Sequence, residues 1–111
     1  MKTTIKRKGK VIGFVIIERI GKPKHGLMEL KRIEVKKRYR RQGMATRLIK
    51  IALRKIKFRK LFLTTHISNK AALKLYNKCG FHIEAYLPGH YYEGETEILL
   101  SMFREDENGT A

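Results

Sequence analysis

The chain is poor in the residues that usually announce a compartment or a metal. One cysteine, Cys79, among 111 residues leaves no partner for an internal disulfide and too few thiolates for a cysteine-built metal centre. Nothing approaches the roughly 18 apolar residues that span a bilayer. The opening Met1–Lys10, with Lys2, Lys6, Arg7, Lys8 and Lys10, lacks the apolar core of a secretory signal. Together these absences predict a cytoplasmic protein with no membrane segment and no metal. Acid is scarce as well. Ten Asp and Glu face 26 Lys and Arg, for a net charge of +16. Residues 1–60 carry 22 of the basic side chains against Glu18, Glu29 and Glu34, whereas residues 61–111 carry four against seven acids. Such a field draws polyanions and repels polyamines and other cationic substrates. By itself it does not choose between RNA, an anionic cofactor and a solvated basic surface.

What is present is periodic. Thr3–Lys8 alternates weakly, Gly9-Lys10 turns the chain, and Val11–Ile20 is apolar and β-branched, the pattern of a hairpin. Gly21–Gly26 is punctuated by Pro23 and reads as a loop. Leu27–Val35 reads as a third strand with Leu30, Ile33 and Val35 toward the core. From Met44 the period changes, and Ala45, Leu48, Ile49, Ala52, Leu53 and Ile56 form the apolar stripe of a helix. Leu61–Ile67 is a strand. Ser68 or Asn69 caps a second helix, Lys70–Lys78, which stops at Gly80. Phe81–Ala85 and Glu97–Phe103 complete the pattern, around a loop containing Pro88–Tyr92. The order β-β-β-α-β-α-β-β predicts an α+β domain, three-layered in the manner of α/β proteins, on a mixed sheet with parallel strands at its centre. Residues 1–103 form that domain, and residues 104–111 read as a frayed tail.

Three stretches carry chemistry. Lys36–Gly43 is a polar, basic connection that opens the first helix. Free backbone N–H groups at such a turn converge on one spot with the helix dipole behind them, which suits a phosphate. Gly43 permits close backbone approach, and Arg40 and Arg41 add charge. On its own this is equally the entry to an ordinary amphipathic helix. However, Arg40-Arg41-Gln42-Gly43-Met44-Ala45 resembles the Gln/Arg-x-x-Gly-x-Gly/Ala signature of the GNAT N-acetyltransferase superfamily. Ser68–Phe81, with its Asn, Ala, Tyr and Gly-Phe, resembles the second motif of that family. Gly89–Glu95 is similar to the Tyr-Tyr loop of N-terminal protein acetyltransferases, including the ribosomal-protein type. The resemblance covers roughly residues 10 to 103.

The resemblance implies a GNAT fold and the transfer of an acetyl group from acetyl-CoA to an amine, either a protein N-terminus or a lysine. It implies that the backbone of Ile33, Glu34 and Val35 pairs with the pantetheine arm. Arg40, Arg41, Gln42, Gly43, Met44, Ala45 and Thr46 would line the pyrophosphate turn, and Asn69 would bond the cofactor near its thiol end. Tyr76 would be the general acid for the departing thiolate, although its setting beside Ala72, Leu73 and Leu75 also suits a core tyrosine. Tyr91 and Tyr92 would hold the acceptor backbone, with Tyr39 as a helping tyrosine.

Two departures from the family pattern shape the remaining expectations. Relatives place Glu or His five residues before the Asn, where this chain has Thr64, so the base is sought at His66 on the same strand face. Relatives also carry a strand and two helices before the hairpin that begins this sequence, so the pattern is truncated at the N-terminus. An apolar face would be left uncovered, which suggests a homodimer. The acids Glu93, Glu95, Glu97, Glu105, Asp106 and Glu107 would then meet the basic half of a second copy. The alternative is a ribosome- or RNA-associated module that keeps the scaffold with little catalysis.

Overall fold

Two alternating periods build the molecule, and in the computed structural model residues 1–104 are described. The tail from residue 105 onward, with Glu105, Asp106 and Glu107, lies outside the described residues. The period-two segments become β1 (Lys2–Arg7), β2 (Lys10–Arg19), β3 (Leu27–Val35), β4 (Lys60–His66), β5 (His82–Pro88) and β6 (Thr96–Phe103). The 3.6-period segments become α1 (Met44–Lys55) and α2 (Lys70–Lys78). Short 3₁₀ turns at Pro23–His25 and Lys37–Tyr39 join them. No helix among the described residues is long and apolar enough to cross a membrane.

The six strands form one mixed sheet in the order β1-β2-β3-β4-β6-β5. β3 and β4 make its parallel junction, and every other neighbouring pair is antiparallel. Cross-strand partners share a face, so the register identifies the buried side. Ile17 pairs with Leu30, Val15 with Ile33, Leu63 with Leu100 and Thr65 with Ile98. Val15, Ile17, Leu30, Leu61, Leu63, Ile98 and Leu100 are all buried on that face. The helices supply the other half of the core with Met44, Leu48, Ile49, Ala52 and Tyr76. Gly13 shows how closely α1 lies. A Cβ there would sit 2.9 Å from the Glu34 carbonyl oxygen and 3.1 Å from Leu48 Cδ1. The opposite face carries Phe14, Ile16, Phe62 and Leu99, all only half-buried, and no helix covers it among the described residues. Lys2 Nζ and the Arg32 guanidinium cover the Phe14 ring instead, at 4.6 and 5.6 Å from its centroid.

The junction between β3 and β4 is short. Their register covers Leu27↔Lys60, Met28↔Leu61 and Glu29↔Phe62 only. Beyond Glu29, β3 stays with β2 as far as Val35↔Gly13, and β4 stays with β6 as far as His66↔Glu97. The two strands therefore diverge, leaving a wedge in the middle of the sheet. α2 begins beside that wedge because Asn69 caps it, its Oδ1 accepting from the Ala72 N–H at 3.1 Å. Gly80, at φ 99°, ends the helical region in the left-handed conformation. Cys79 is half-buried against the core at that end, and burial pushes its thiol up despite Lys50, Thr46 and Lys78 nearby.

Candidate functional site

The turn between β3 and α1 is built around two left-handed residues, Arg41 at φ 61° and Gly43 at φ 76°. No side chain caps α1, and its first turn contains no acid. The first intrahelical bond runs from the Arg47 N–H to the Gly43 carbonyl at 3.1 Å. The N–H groups before it are thus the free donors of a helix start, with the positive end of the dipole behind them. No protein atom lies within 4 Å of a Cβ placed on Gly43, so its φ rather than packing calls for glycine. Arg40 fastens the turn to the strand, its Nε donating to the Val35 carbonyl at 2.8 Å. Gln42 turns away and donates from Nε2 to the Arg38 carbonyl at 3.2 Å.

The turn opens into the wedge. A cleft of about 320 Å³ is lined by Tyr39, Arg40, Arg41, Gly43, Met44 and Thr46 among others. A second, of about 480 Å³, is lined by Ile33, Glu34, Ala45, Thr65, Asn69 and Tyr76 among others. The two share Val35, Arg40, Ala45, Ala71 and Leu75, so they form one continuous groove from the helix start to Tyr76. Of the residues the sequence assigned to acetyl-CoA, only Gln42 fails to line it. Strand alternation orients the free edge of β3. The Glu34 carbonyl faces β2 at Gly13, so the backbones of Ile33 and Val35 turn toward the wedge. Arg40 already occupies the Val35 carbonyl, leaving Ile33 and the Val35 N–H to pair with an extended ligand.

At the inner end, Asn69 spends its Oδ1 on the helix cap and keeps its Nδ2 donors available. The Tyr76 ring meets Phe81 edge-on at 5.6 Å and is 7% exposed. Its hydroxyl makes no hydrogen bond to another described residue. Burial, with a smaller contribution from Cys79, pushes its pKa up to about 12. The phenol therefore stays protonated through the neutral range. It can give a proton but does not compete as a base.

A second cluster occupies the other face of β4. Thr64 Oγ1 and Tyr91 Oη are 3.3 Å apart. The Ser68 N–H donates to His66 Nδ1 at 3.0 Å, which makes Nδ1 an acceptor and puts the ring proton on Nε2. That Nε2 lies 2.6 Å from Glu95 Oε2. Tyr91 and Tyr92 are 59% and 74% exposed, and the Tyr91 ring meets His90 at 4.5 Å. Glu95 joins this cluster, whereas the sequence placed it in the Gly89–Glu95 loop and in an acidic stretch without pairing it with His66. It lies 29 positions from its partner, and only the pairing of β4 with β6 reveals the contact. Tyr39, expected with Tyr91 and Tyr92, lines the groove at the basic turn, its ring between Arg7 and Arg38 at 5.5 and 5.9 Å.

Comparison with known proteins agrees with this arrangement. The family model "Acetyltransferase (GNAT) family" matches residues 2–81. An N-alpha-acetyltransferase of Saccharolobus solfataricus is 33% identical over 73 residues, which cover 62% of this chain and 44% of that protein. The match therefore spans less than half the length of that curated relative. The ribosomal-protein-S18-alanine N-acetyltransferase of Escherichia coli superposes with a TM-score of 0.79 at 26% identity, covering 97% of this chain and 72% of that one. A GNAT acetyltransferase of Elizabethkingia anophelis, solved with acetyl-CoA bound, shares the fold at a TM-score of 0.82 and 24% identity, covering 93% of this chain and 75% of its own. With the wedge in its sheet, the uncapped helix start beside it and this family match along most of its length, the chain belongs to the GNAT acetyltransferase family.

Proposed function

We propose that this chain is a cytoplasmic, acetyl-CoA-dependent N-acetyltransferase acting on a protein amine, either an N-terminus or a lysine. The observation that carries the reading is the continuous groove from the uncapped start of α1 to Tyr76. Acetyl-CoA, when bound, supplies the acetyl group as a thioester. The free N–H groups at Met44–Thr46 and the Arg41 side chain hold its diphosphate. Ile33 and the Val35 N–H pair with its extended arm as a peptide pairs with a sheet edge. Asn69 donates from Nδ2 near the reacting end. As the C–N bond forms and the C–S bond breaks, the amine loses a proton and the sulfur gains one. Tyr76 provides the proton to sulfur. The Glu95 carboxylate, steadied by the His66 imidazole, takes the proton from the amine, because both ring nitrogens of His66 are engaged. Tyr91 and Tyr92 hold the acceptor backbone. The net charge of +16 disfavours polyamines as acceptors.

The open sheet face supports a further part of this reading, that a second copy covers Phe14, Ile16, Phe62 and Leu99 and walls the acceptor side. A monomer by light scattering at every salt and concentration would remove that part alone. For the activity, the purified protein is titrated with CoA by calorimetry and then assayed with acetyl-CoA on a peptide library. Heat with CoA and acetylated peptides are expected. Absence of both heat and thermal stabilisation at low salt would overturn the cofactor assignment.

A further inference from the structure

Like charge limits where this chain can meet a copy of itself. At a net charge of +16, two molecules repel across most of their surface. The cations are unevenly placed, however. Between Lys78 and Arg104 there is no Lys or Arg, and that run holds β5, the loop of Tyr91 and Tyr92, and β6. β5 is also an edge of the sheet, and no strand pairs with its outer side among the described residues. An edge strand presents a row of main-chain donors and acceptors on which another strand can build, unless charge guards it. The two edges differ in that respect. β1 is guarded by Lys2, Lys6 and Arg7, all exposed. β5 has no Lys or Arg, and its one acid, Glu84, is paired with Lys60 at 2.7 Å. Two large apolar side chains stand out from β5 instead, Ile83 at 49% and Tyr86 at 59% exposure.

We propose that β5 is the contact between two copies of this chain, joined edge to edge as antiparallel strands about a two-fold axis. The register against β6 sets which side chains meet. Ile83 pairs with Leu100 and Tyr86 with Ile98, so both lie on the helical side of the sheet. His82 pairs with Ser101 and Leu87 with Glu97, which are cross-strand partners of Phe62 and His66, so both lie on the open side. Setting Ile83 against the partner's Tyr86 therefore sets His82 against the partner's Leu87, and both rows match face to face. The irregularity between Ile83 and Ala85 falls at the axis in each copy, so the faces stay in phase on either side of it. Ladder hydrogen bonds hold the strands, and the two Ile83–Tyr86 contacts bury the exposed apolar groups. The strand is thus complementary to itself, which a two-fold contact requires, and it lies where the repulsion between copies is least. Joining the edges leaves both open faces uncovered. This contact is therefore separate from the cover proposed for Phe14, Ile16, Phe62 and Leu99, and it does not rest on acetyl transfer.

The test uses the whole protein in sedimentation equilibrium at about 150 mM salt, over about 1 to 100 µM. The parent should pass from 13.0 kDa to twice that mass as concentration rises. Over the same range the amides of Ile83–Leu87 should gain protection from hydrogen exchange, a main-chain signature that side-chain contact alone does not give. The double variant Ile83→Lys, Tyr86→Lys sets like charge across the axis and should raise the dissociation constant at least about a hundredfold. Its control, Val11→Lys, Asn77→Lys, adds the same charge at exposed positions off β5. Screening at this salt should hold the control's effect below about threefold. Both variants should melt as the dilute parent does, and if the β5 variant fails to fold, the exchange pattern of the parent decides. A monomer at every concentration would overturn the proposal, as would a folded β5 variant that still dimerises. A dimer whose β5 amides exchange as in the monomer would overturn it and assign the contact to another face. Equal weakening by both variants would overturn it in favour of diffuse repulsion.

Discussion

Replacing Tyr76 by Phe separates chemistry from packing more cleanly than any other change in this site. The ring is buried and meets Phe81 edge-on, whereas the hydroxyl has no partner among the described residues. Phe keeps every ring contact and removes a polar atom that burial penalises. Folded stability should hold or rise, by up to about 1 kcal/mol. The sign of the pH linkage agrees. Raising the phenol from 10.0 to about 12 means that the folded protein resists its ionisation. Below pH 10 the phenol is neutral in both the folded and the unfolded chain and the shift has no effect; as pH rises from 10 toward about 12 the unfolded chain ionises first, and up to about 3 kcal/mol of stability is lost. In the Tyr76→Phe protein this alkaline loss should disappear, while at neutral pH the two proteins should melt alike or the variant slightly higher. Turnover should behave oppositely. A missing general acid costs about ten- to a thousandfold in kcat, or about 1.4 to 4 kcal/mol of barrier, with acetyl-CoA affinity nearly unchanged. The assays are steady-state kinetics, CoA calorimetry and thermal melting at pH 7 and pH 11. Unchanged turnover in a folded Tyr76→Phe protein would falsify the acid assignment and leave Tyr76 as a core ring.

The same geometry fixes the direction of other changes. Gly43→Glu should abolish acetyl-CoA binding, because it adds a strained left-handed residue and a like-charged side chain where the diphosphate is to sit, whereas Gly43→Asn, which tolerates that conformation, should retain much of it; calorimetry distinguishes them, and strong binding by the Glu variant would remove the turn from the site. Glu95→Gln keeps the shape of the His66 contact but loses the basic oxygen, so kcat should fall roughly ten- to a hundredfold at unchanged cofactor affinity, and an unaltered kcat would send the search for the base elsewhere. Gly13→Ala forces a Cβ to within 2.9 Å of the Glu34 backbone oxygen and should cost about 1–3 kcal/mol, read as a melting temperature lower by several degrees; a melt equal to the parent's would mean that α1 moves away freely.

How far the sequence alone reached depends on how local each signal is. Leu27–Val35 and Lys70–Lys78 were legible to the residue, because a strand between Gly26 and a basic turn, and a helix between Asn69 and Gly80, carry their stop signals next to them in the chain. β5 was not. The sequence reading ended it at Ala85 and placed Pro88 in a loop, but β5 lies at the sheet edge, where a missing N–H breaks no ladder, and the strand runs on to Pro88. The lining of the groove was largely legible for the same reason of locality, since the turn, Asn69 and Tyr76 each sit in a short ordered stretch that resembles a family motif. What the motifs could not say is how the side chains are already engaged. Arg40, read as a phosphate ligand, lines the groove and also braces the turn through the Val35 carbonyl. Asn69 looked like a cofactor contact and is first a helix cap, which leaves its amide donors rather than its oxygen for the ligand. The proposed base was the least legible residue, because Thr64 stands where the family resemblance expects Glu or His and the carboxylate beside His66 arrives from the residue just ahead of β6. A strand pairing of long sequence separation leaves no periodic trace, so Glu95 became visible only once His66↔Glu97 set the register. The acid and its cofactor groove lie on the helical side of the sheet, and the His66–Glu95 pair lies on the open side. Between them, the wedge where β3 and β4 part opens the sheet. In the proposed mechanism, an amine arriving from the open face would be deprotonated on one side of the sheet, while the leaving sulfur would be protonated on the other.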